Sequence, residues 1–357
     1  MMTIWVVGAG AIGCMVGARL AQYEDVVLVD GWKEHVDAIN ADGLRVDYHD
    51  ETVTVRSRAV EFDALDAVEE TPDIVLLSVK STDTEGVLRK IVHRLGPESA
   101  VVSVQNGMNE EAIAGVVGAE RTIGAMVTGD SAIIAPGHAA ARMAKRRLVI
   151  GELDGRDTPR IRALAERLSQ SLPTTWTDNI MGQLWTKLVR NCMFNALGAL
   201  TGLEANRIAG HPVARSVAFA LAREAIRVAL AEGMTLDPVL LGSDVAGFLA
   251  EPGSEAAERA AQEFERLFTA LPSVKSSMLQ DVLRGRRTEV DHLNGFVVAK
   301  GRTSAVSTAV NERVVALVHQ VENGSLERGV DVLGGPLVED EGLLGERAIL
   351  DRLPAAG

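Results

Sequence analysis

The sequence predicts an α/β protein: a doubly wound parallel sheet in the N-terminal half, followed by an all-α C-terminal half. Short Val/Ile/Leu runs alternate with amphipathic stretches up to about residue 178, the pattern of parallel strands joined by crossover helices. Beyond that point long helical stretches follow one another with no β-run between them. A glycine-rich turn, "GAGAIG", closes the first β-run and opens a helix. With 357 residues, 47% of them hydrophobic, the chain exceeds one ordinary domain. The expected division is 1–178, 179–333 and a glycine- and acid-rich tail over 334–357.

The strands expected in order are Ile4–Val7, Val26–Val29, Ile74–Val79, Ala100–Val104 and Thr122–Met126, with further runs near Arg147–Ile150 and Thr174–Trp176. Runs such as "DIVLLSV" are apolar without alternation, as strands covered on both faces must be. Residues 30–43 and 80–96 show helical spacing and end at glycine. In the second half, helical stretches cover 179–203, 214–233, 254–271, 276–287, 289–301 and 307–324.

The formal net charge of −13 argues against a surface built to neutralise phosphate backbones, so no nucleic-acid partner is expected. Cys14 and Cys192, the two cysteines, lie in apolar helical stretches and read as free thiols in a reducing compartment. Met1-Met2-Thr3 leads straight into a strand, and no apolar run reaches the roughly 18 residues of a membrane span. The expectation is a cytoplasmic protein without a membrane partner. No His/Cys cluster has ligand spacing, so no metal is expected.

Gly8-x-Gly10-x-x-Gly13 gains meaning from its context. A strand precedes it, a helix follows, and a second strand ends in Asp30 some 20 residues on. Gly8 makes the turn, Gly10 lets the backbone approach a pyrophosphate, and Gly13 lets the helix pack close to the strand. Ala11 and Ile12 complete the helix start, whose N–H groups and partial positive charge suit phosphate. A carboxylate at Asp30 accepts hydrogen bonds from an adenosine ribose and repels a 2′-phosphate. NAD(H) is therefore favoured over NADP(H), with Lys33 as the opposing feature.

Lys187, Asn191 and Asn195 are spaced i, i+4, i+8 and share one face of an otherwise apolar helix. Such a stripe either faces water or lines a cleft. Asparagine is a poor helix former, and a cleft that holds a polar substrate gives two of them a purpose. A third group, Ser276, Ser277, Asp281, Glu289, Asp291 and Asn294, spans two helical stretches and taken alone reads as a capped, solvated helix pair.

Together, "GAGAIG", "SVKS" around Lys80, "QNGM" at 105–108, "WTKLVRNCMFNAL" around Lys187, "GMTLDP" at 233–238 and "SSMLQDVLRGRRTEVDHLNG" at 276–295 resemble the 2-dehydropantoate 2-reductase (ketopantoate reductase) family. The resemblance runs from Ile4 to about Gly324. It implies a Rossmann-type domain, a helical domain like that of 6-phosphogluconate dehydrogenase, and an active site in the cleft between them. It also implies that Lys187 is the general acid that protonates the ketone oxygen and that Glu289 binds substrate hydroxyl groups. Asn191 and Ser277 would orient the substrate and contact its carboxylate, with Asn206 also on the substrate side, where the helical stripe itself puts Asn195. Lys80 and Asn106 would line the nicotinamide. Where NADPH-using members carry a basic residue, this chain has Asp30.

The expected reaction is hydride transfer between a nicotinamide and C2 of a small 2-oxo or 2-hydroxy acid, 2-dehydropantoate first. A catabolic NAD-dependent dehydrogenase of another 2-hydroxy acid and a non-catalytic NAD sensor are the other readings. Apolar helices such as 213–232 exceed what one core needs and point to a homodimer through the helical domain.

Overall fold

The computed structural model describes residues 1–129, 131–141, 147–237, 239–240, 243–270 and 273–334. The expected tail beyond Gly334, Pro238 of "GMTLDP" and the end of the 254–271 stretch at Leu271 lie outside the described residues. The chain divides into two compact units, Met1–Leu184 and Trp185 onward, and the division falls inside one long helix.

In the first unit, β1 (Thr3–Val7), α1 (Ala11–Leu20), β2 (Asp25–Asp30) and α2 (Lys33–Asp42) lead into β3 (Leu44–Tyr48), β4 (Thr52–Val55) and β5 (Arg58–Glu61). Next come β6 (Ile74–Leu77), α3 (Thr84–Ile91), β7 (Ala100–Ser103), α4 (Glu110–Val117) and β8 (Thr122–Thr128). The unit continues with β9 (Ser131–Ala135), β10 (His138–Ala141), β11 (Arg147–Glu152), α5 (Pro159–Ser169) and β12 (Thr174–Trp176). An eight-stranded sheet runs in the order β12-β11-β8-β7-β6-β1-β2-β5. The chain therefore winds one way from β1 through β2 and the other way from β6 through β8, and the direction switches between β1 and β6. Along β1 the side chains alternate between faces: Ile4 and Val6 enter one apolar core, Trp5 and Val7 the other. That is why these strands read as unbroken apolar runs.

Two features of this unit depart from the sequence expectation. The sheet is mixed rather than wholly parallel, because β11 pairs antiparallel with β8. Among the described residues no crossover helix separates those two strands, and antiparallel neighbours need none. The second departure is a four-stranded sheet of order β4-β3-β10-β9, which covers the outer side of α1. There Tyr48 donates its hydroxyl hydrogen to the Met15 carbonyl at 2.6 Å, and the Arg19 guanidinium lies 4.0 Å from the Tyr48 ring centre.

The second unit is built on α6 (Ile180–Thr201), α7 (Ala205–Gly210) and α8 (Pro212–Ala231), followed by α9 (Val245–Leu249) and α10 (Glu255–Thr269). Then come α11 (Ser277–Leu283), α12 (Asn294–Thr303) and α13 (Ala309–Glu322). A two-residue pairing of β13 (Val239–Leu240) with β14 (Ser243–Asp244) interrupts the expected all-α order. The stretch expected as one helix over 289–301 is a 3-10 turn, Val290–His292, followed by α12.

Phe194, Phe219, Phe248, Phe264 and Phe268 stack into an aromatic core drawn from α6, α8, α9 and α10. Most apolar residues of α8 are buried in this unit, while Leu230 on that helix and Leu283 on α11 are exposed. A buried polar network braces the same core. Glu224 accepts the backbone N–H groups of Val310 and Asn311, both at 2.9 Å. Asn311 Oδ1 in turn accepts from Asn294 Nδ2 at 2.9 Å.

Phe264 is fully buried and meets Phe268 at 4.7 Å and Phe219 at 5.4 Å between ring centres. Replacing Phe264 by Ala is expected to lower unfolding stability by about 3–5 kcal/mol, read from the midpoint of a urea titration.

Candidate active site

The glycine loop lies where the ends of three strands meet. Gly8 and Ala9 both donate their N–H to the Val29 carbonyl, at 2.8 and 3.2 Å, and Ser78 Oγ donates to the Gly8 carbonyl at 2.7 Å. Gly8 has φ +98°, and a Cβ there would lie 2.6 Å from the Val79 nitrogen, so no other residue fits the turn. A Cβ on Gly13 would come within 2.0 Å of the Gly8 carbonyl oxygen, which is how closely α1 approaches the loop.

Gly10 differs from both. A Cβ there would meet nothing within 4 Å. Open space over the backbone, at the start of a helix whose first turn carries no acidic residue, fits a pyrophosphate: the N–H groups of residues 10–13 are those a helix leaves without internal partners.

The remaining cofactor-side residues sit on neighbouring loops of the same sheet edge. β7, β6, β1 and β2 are adjacent and parallel, with Ser103 in register with Leu77, and Val7 in register with both Leu77 and Val29. Their carboxyl ends carry Asn106, Lys80, the glycine loop and Asp30 in that order, around the point where the winding reverses. That edge is where open α/β sheets bind nucleotides.

Two of these loops are joined: Ser81 Oγ donates to the Asn106 carbonyl at 3.1 Å, and Asn109 Nδ2 donates to the same oxygen at 2.8 Å. Asp30 Oδ1 accepts the Trp32 N–H at 2.9 Å, which fixes the carboxylate at the end of β2. Lys33, the cation that weighed against NAD(H), is taken up by Asp37 at 2.9 Å and Glu61 at 3.8 Å. The Asp37 carboxylate, with Glu61 adding to it, raises the lysine above its ordinary pKa.

In the helical unit, α6 presents Lys187 and Asn191 half-buried and Asn195 buried along one stripe. Two other segments are tied to that helix. Ser276 caps α11, accepting the Leu279 N–H at 3.3 Å, and donates its hydroxyl hydrogen to the Asn195 carbonyl at 3.5 Å. The contact is open because residue 198 is glycine, where a Cβ would lie 2.6 Å from Ser276 Oγ. Ser277 is thereby held at the α6 end of α11. Asn294 Nδ2 donates to the Cys192 carbonyl at 3.3 Å and anchors the start of α12 to α6.

Between those two anchors runs the segment with Glu289, which is 6% exposed. The Glu289 carbonyl accepts the N–H groups of His292 and Leu293 at 3.0 and 3.1 Å. Among the described residues, two buried amide atoms of this unit's expected substrate residues have no hydrogen-bond partner: Asn191 Nδ2, a donor, and Asn206 Oδ1, an acceptor. Unpaired buried amide atoms cost stability, and such costs gather at functional sites.

Cys14 and Cys192 are buried and free, and burial pushes both thiols well above their ordinary pKa, which leaves neither as a nucleophile. Cys14 donates to the Ala9 carbonyl at 2.9 Å, beneath the glycine loop. No helix among the described residues is long and apolar enough to cross a membrane.

Comparison with known proteins bears on both units. The family model "Ketopantoate reductase PanE/ApbA" matches residues 4–155, and its C-terminal counterpart matches residues 179–322. A 2-dehydropantoate 2-reductase of Halobacterium salinarum is 31% identical over 323 residues, which cover 89% of this chain and 98% of that protein. Among solved structures, a PanE/ApbA family ketopantoate reductase from Ralstonia eutropha JMP134 has a TM-score of 0.76 and 29% identity. It covers 90% of this chain and 99% of that one. A D-mandelate dehydrogenase in complex with NADH has a TM-score of 0.74 and 25% identity, over 90% of this chain and 99% of that one.

The open position at Gly10 separates binding from folding. Gly10→Val is expected to keep the thermal midpoint within about 3 °C of the parent. It is expected to weaken NADH binding by at least about tenfold, as read by nucleotide fluorescence titration. Gly13→Val, which drives a side chain into the Gly8 carbonyl, should lower both.

Proposed function

The chain belongs to the ketopantoate reductase family, and from that premise we propose that it reduces the ketone of a small hydroxylated 2-oxo acid, 2-dehydropantoate foremost, with NADH. The observation that carries the substrate half is the pair of unpaired amide atoms in the helical unit. A donor at Asn191 and an acceptor at Asn206 suit a ligand that offers both an oxygen lone pair and a hydroxyl hydrogen. The observation that carries the cofactor half is the open space over Gly10.

Residues 8–13 would hold the pyrophosphate and Asp30 the adenosine ribose, since Asp30 Oδ2 is the oxygen not used by Trp32. Lys80 and Asn106 flank the nicotinamide. When bound, the nicotinamide supplies the hydride. Negative charge grows on the ketone oxygen as the bond forms, and the Lys187 ammonium stabilises that charge and donates the proton that completes the alcohol. Asn191 and Asn195 on the same stripe orient the oxygens of the substrate. Ser277 donates to its carboxylate, and Glu289 accepts from its hydroxyl group.

The preference for NADH rests on charge. Asp30 ends β2, and the next cation along the chain, Lys33, is paired with Asp37 and Glu61, so it is already taken up by carboxylates.

Steady-state rates with a panel of 2-oxo acids, each with NADH and NADPH, test the proposal. The expected result is NADH oxidation with 2-dehydropantoate above other 2-oxo acids; no oxidation of either cofactor with any of them would end it. Asp30→Ser is expected to shift the NADH-to-NADPH ratio of kcat/KM toward NADPH by at least about tenfold. Lys187→Ala should lower kcat by at least about 100-fold while NADH binding stays unchanged.

A further inference from the structure

The last turn of α13 contacts the chain on both sides of Glu289, the Thr288 backbone on one and the Asp291 side chain on the other. His319 Nε2 lies 2.9 Å from Asp291 Oδ1, two residues after Glu289, and His319 Nδ1 lies 2.9 Å from Glu322 Oε2. Glu322 Oε1 accepts the backbone N–H of Thr288, the residue before Glu289, at 2.7 Å. One imidazole thus links two carboxylates, one of which caps the segment directly while the other belongs to it. Glu322 is only 10% exposed, so the chain of contacts runs from the interior outward.

We propose that His319 and Glu322 are positioning residues for Glu289: they grip residues 288–291 from both ends and so set the affinity for substrate, with the charged imidazole holding both carboxylates at once. The inference rests on the reading of Glu289 as a substrate residue.

Three observations support it. Burial pulls the imidazole toward neutrality, but its bonds to Glu322 and Asp291 outweigh this and raise its pKa above the ordinary value. Burial likewise pushes Glu322 up, and the Thr288 and His319 hydrogen bonds outweigh it, so its carboxyl stays below the usual range. The imidazole also sits at a helix C-terminus, where a positive charge is favoured. Asp291 from the 3-10 turn and Glu322 from its own helix face the ring. On the other helices packed against α13, Glu224 of α8 caps the opposite end of α13, and Lys300 and Arg302 of α12 pair with Glu232 and Glu312.

The sign of the pH effect follows. A charged imidazole donates to both carboxylates. As pH rises through the raised pKa, one N–H is lost, one carboxylate loses its donor, and the grip on residues 288–291 slackens.

The test uses the full chain with 2-dehydropantoate and NADH, comparing wild type, His319→Ala, His319→Arg and Glu289→Gln across pH 6 to 9. In wild type, KM is expected to rise with pH above about 6.5 while kcat changes less. His319→Ala should raise KM about tenfold at low pH, with kcat within about threefold. His319→Arg, which keeps a charge able to meet both carboxylates, should restore KM to within about twofold and remove the rise attributed to His319. An unchanged KM in His319→Ala would overturn the inference, as would failure of His319→Arg to rescue it. An unchanged KM in Glu289→Gln would instead overturn the reading of Glu289 itself.

Discussion

The approach of α1 to the end of β1 is the constraint on which the N-terminal unit depends. The Gly8 carbonyl and the α-carbon of Gly13 are so close that a single methyl group between them would sit 2.0 Å from oxygen. That contact fixes the angle at which the helix leaves the sheet, and with it the direction of the first N–H groups. β2 and β6 hold the same turn from either side through Val29 and Ser78. A nucleotide cradle results because three strand ends converge on one loop in which only glycine fits at Gly8 and Gly13, while Gly10 leaves the surface open.

The helical unit solves a different problem, that of keeping polar side chains on a helix buried in an apolar core. α6 carries both Phe194, a member of the aromatic cluster, and the lysine–asparagine stripe. Its backbone carbonyls at Cys192 and Asn195 serve as anchors for the starts of α12 and α11. One rigid helix therefore both bears the polar stripe and sets where Ser277 and the Glu289 segment begin. The clamp from α13 acts on the remaining freedom of that segment, since Glu289 lies on a turn rather than on a regular helix.

Much of this was legible in the sequence, for physical reasons that can be named. Strands covered on both faces must be apolar throughout, and "DIVLLSV" could hardly be anything else. The glycine loop was legible because its spacing reports steric demands, and the stripe at 187, 191 and 195 because helical periodicity is strict. The second sheet was not read. "LRVDY" and "TVTV" alternate as a half-buried hairpin should, with Leu44, Val46 and Tyr48 turned inward. Yet β3 also pairs with β10, some ninety residues on, whose "HAAA" carries little strand signal. The direction of β11 was hidden too, since apolar content reports burial and not polarity of pairing. His319 and Asp291 are 28 residues apart, and only tertiary structure brings them together across Glu289.

The proposed reaction is hydride transfer from the nicotinamide to the C2 ketone of a 2-oxo acid. Isotope placement tests it most directly. The protein is incubated with 2-dehydropantoate and NADH deuterated at the transferable C4 position, and the product is analysed by NMR and mass spectrometry. One deuterium is expected at C2 of the resulting 2-hydroxy acid, retained stoichiometrically with NADH oxidised. Oxidation without label at C2, or no turnover of any 2-oxo acid, would contradict it.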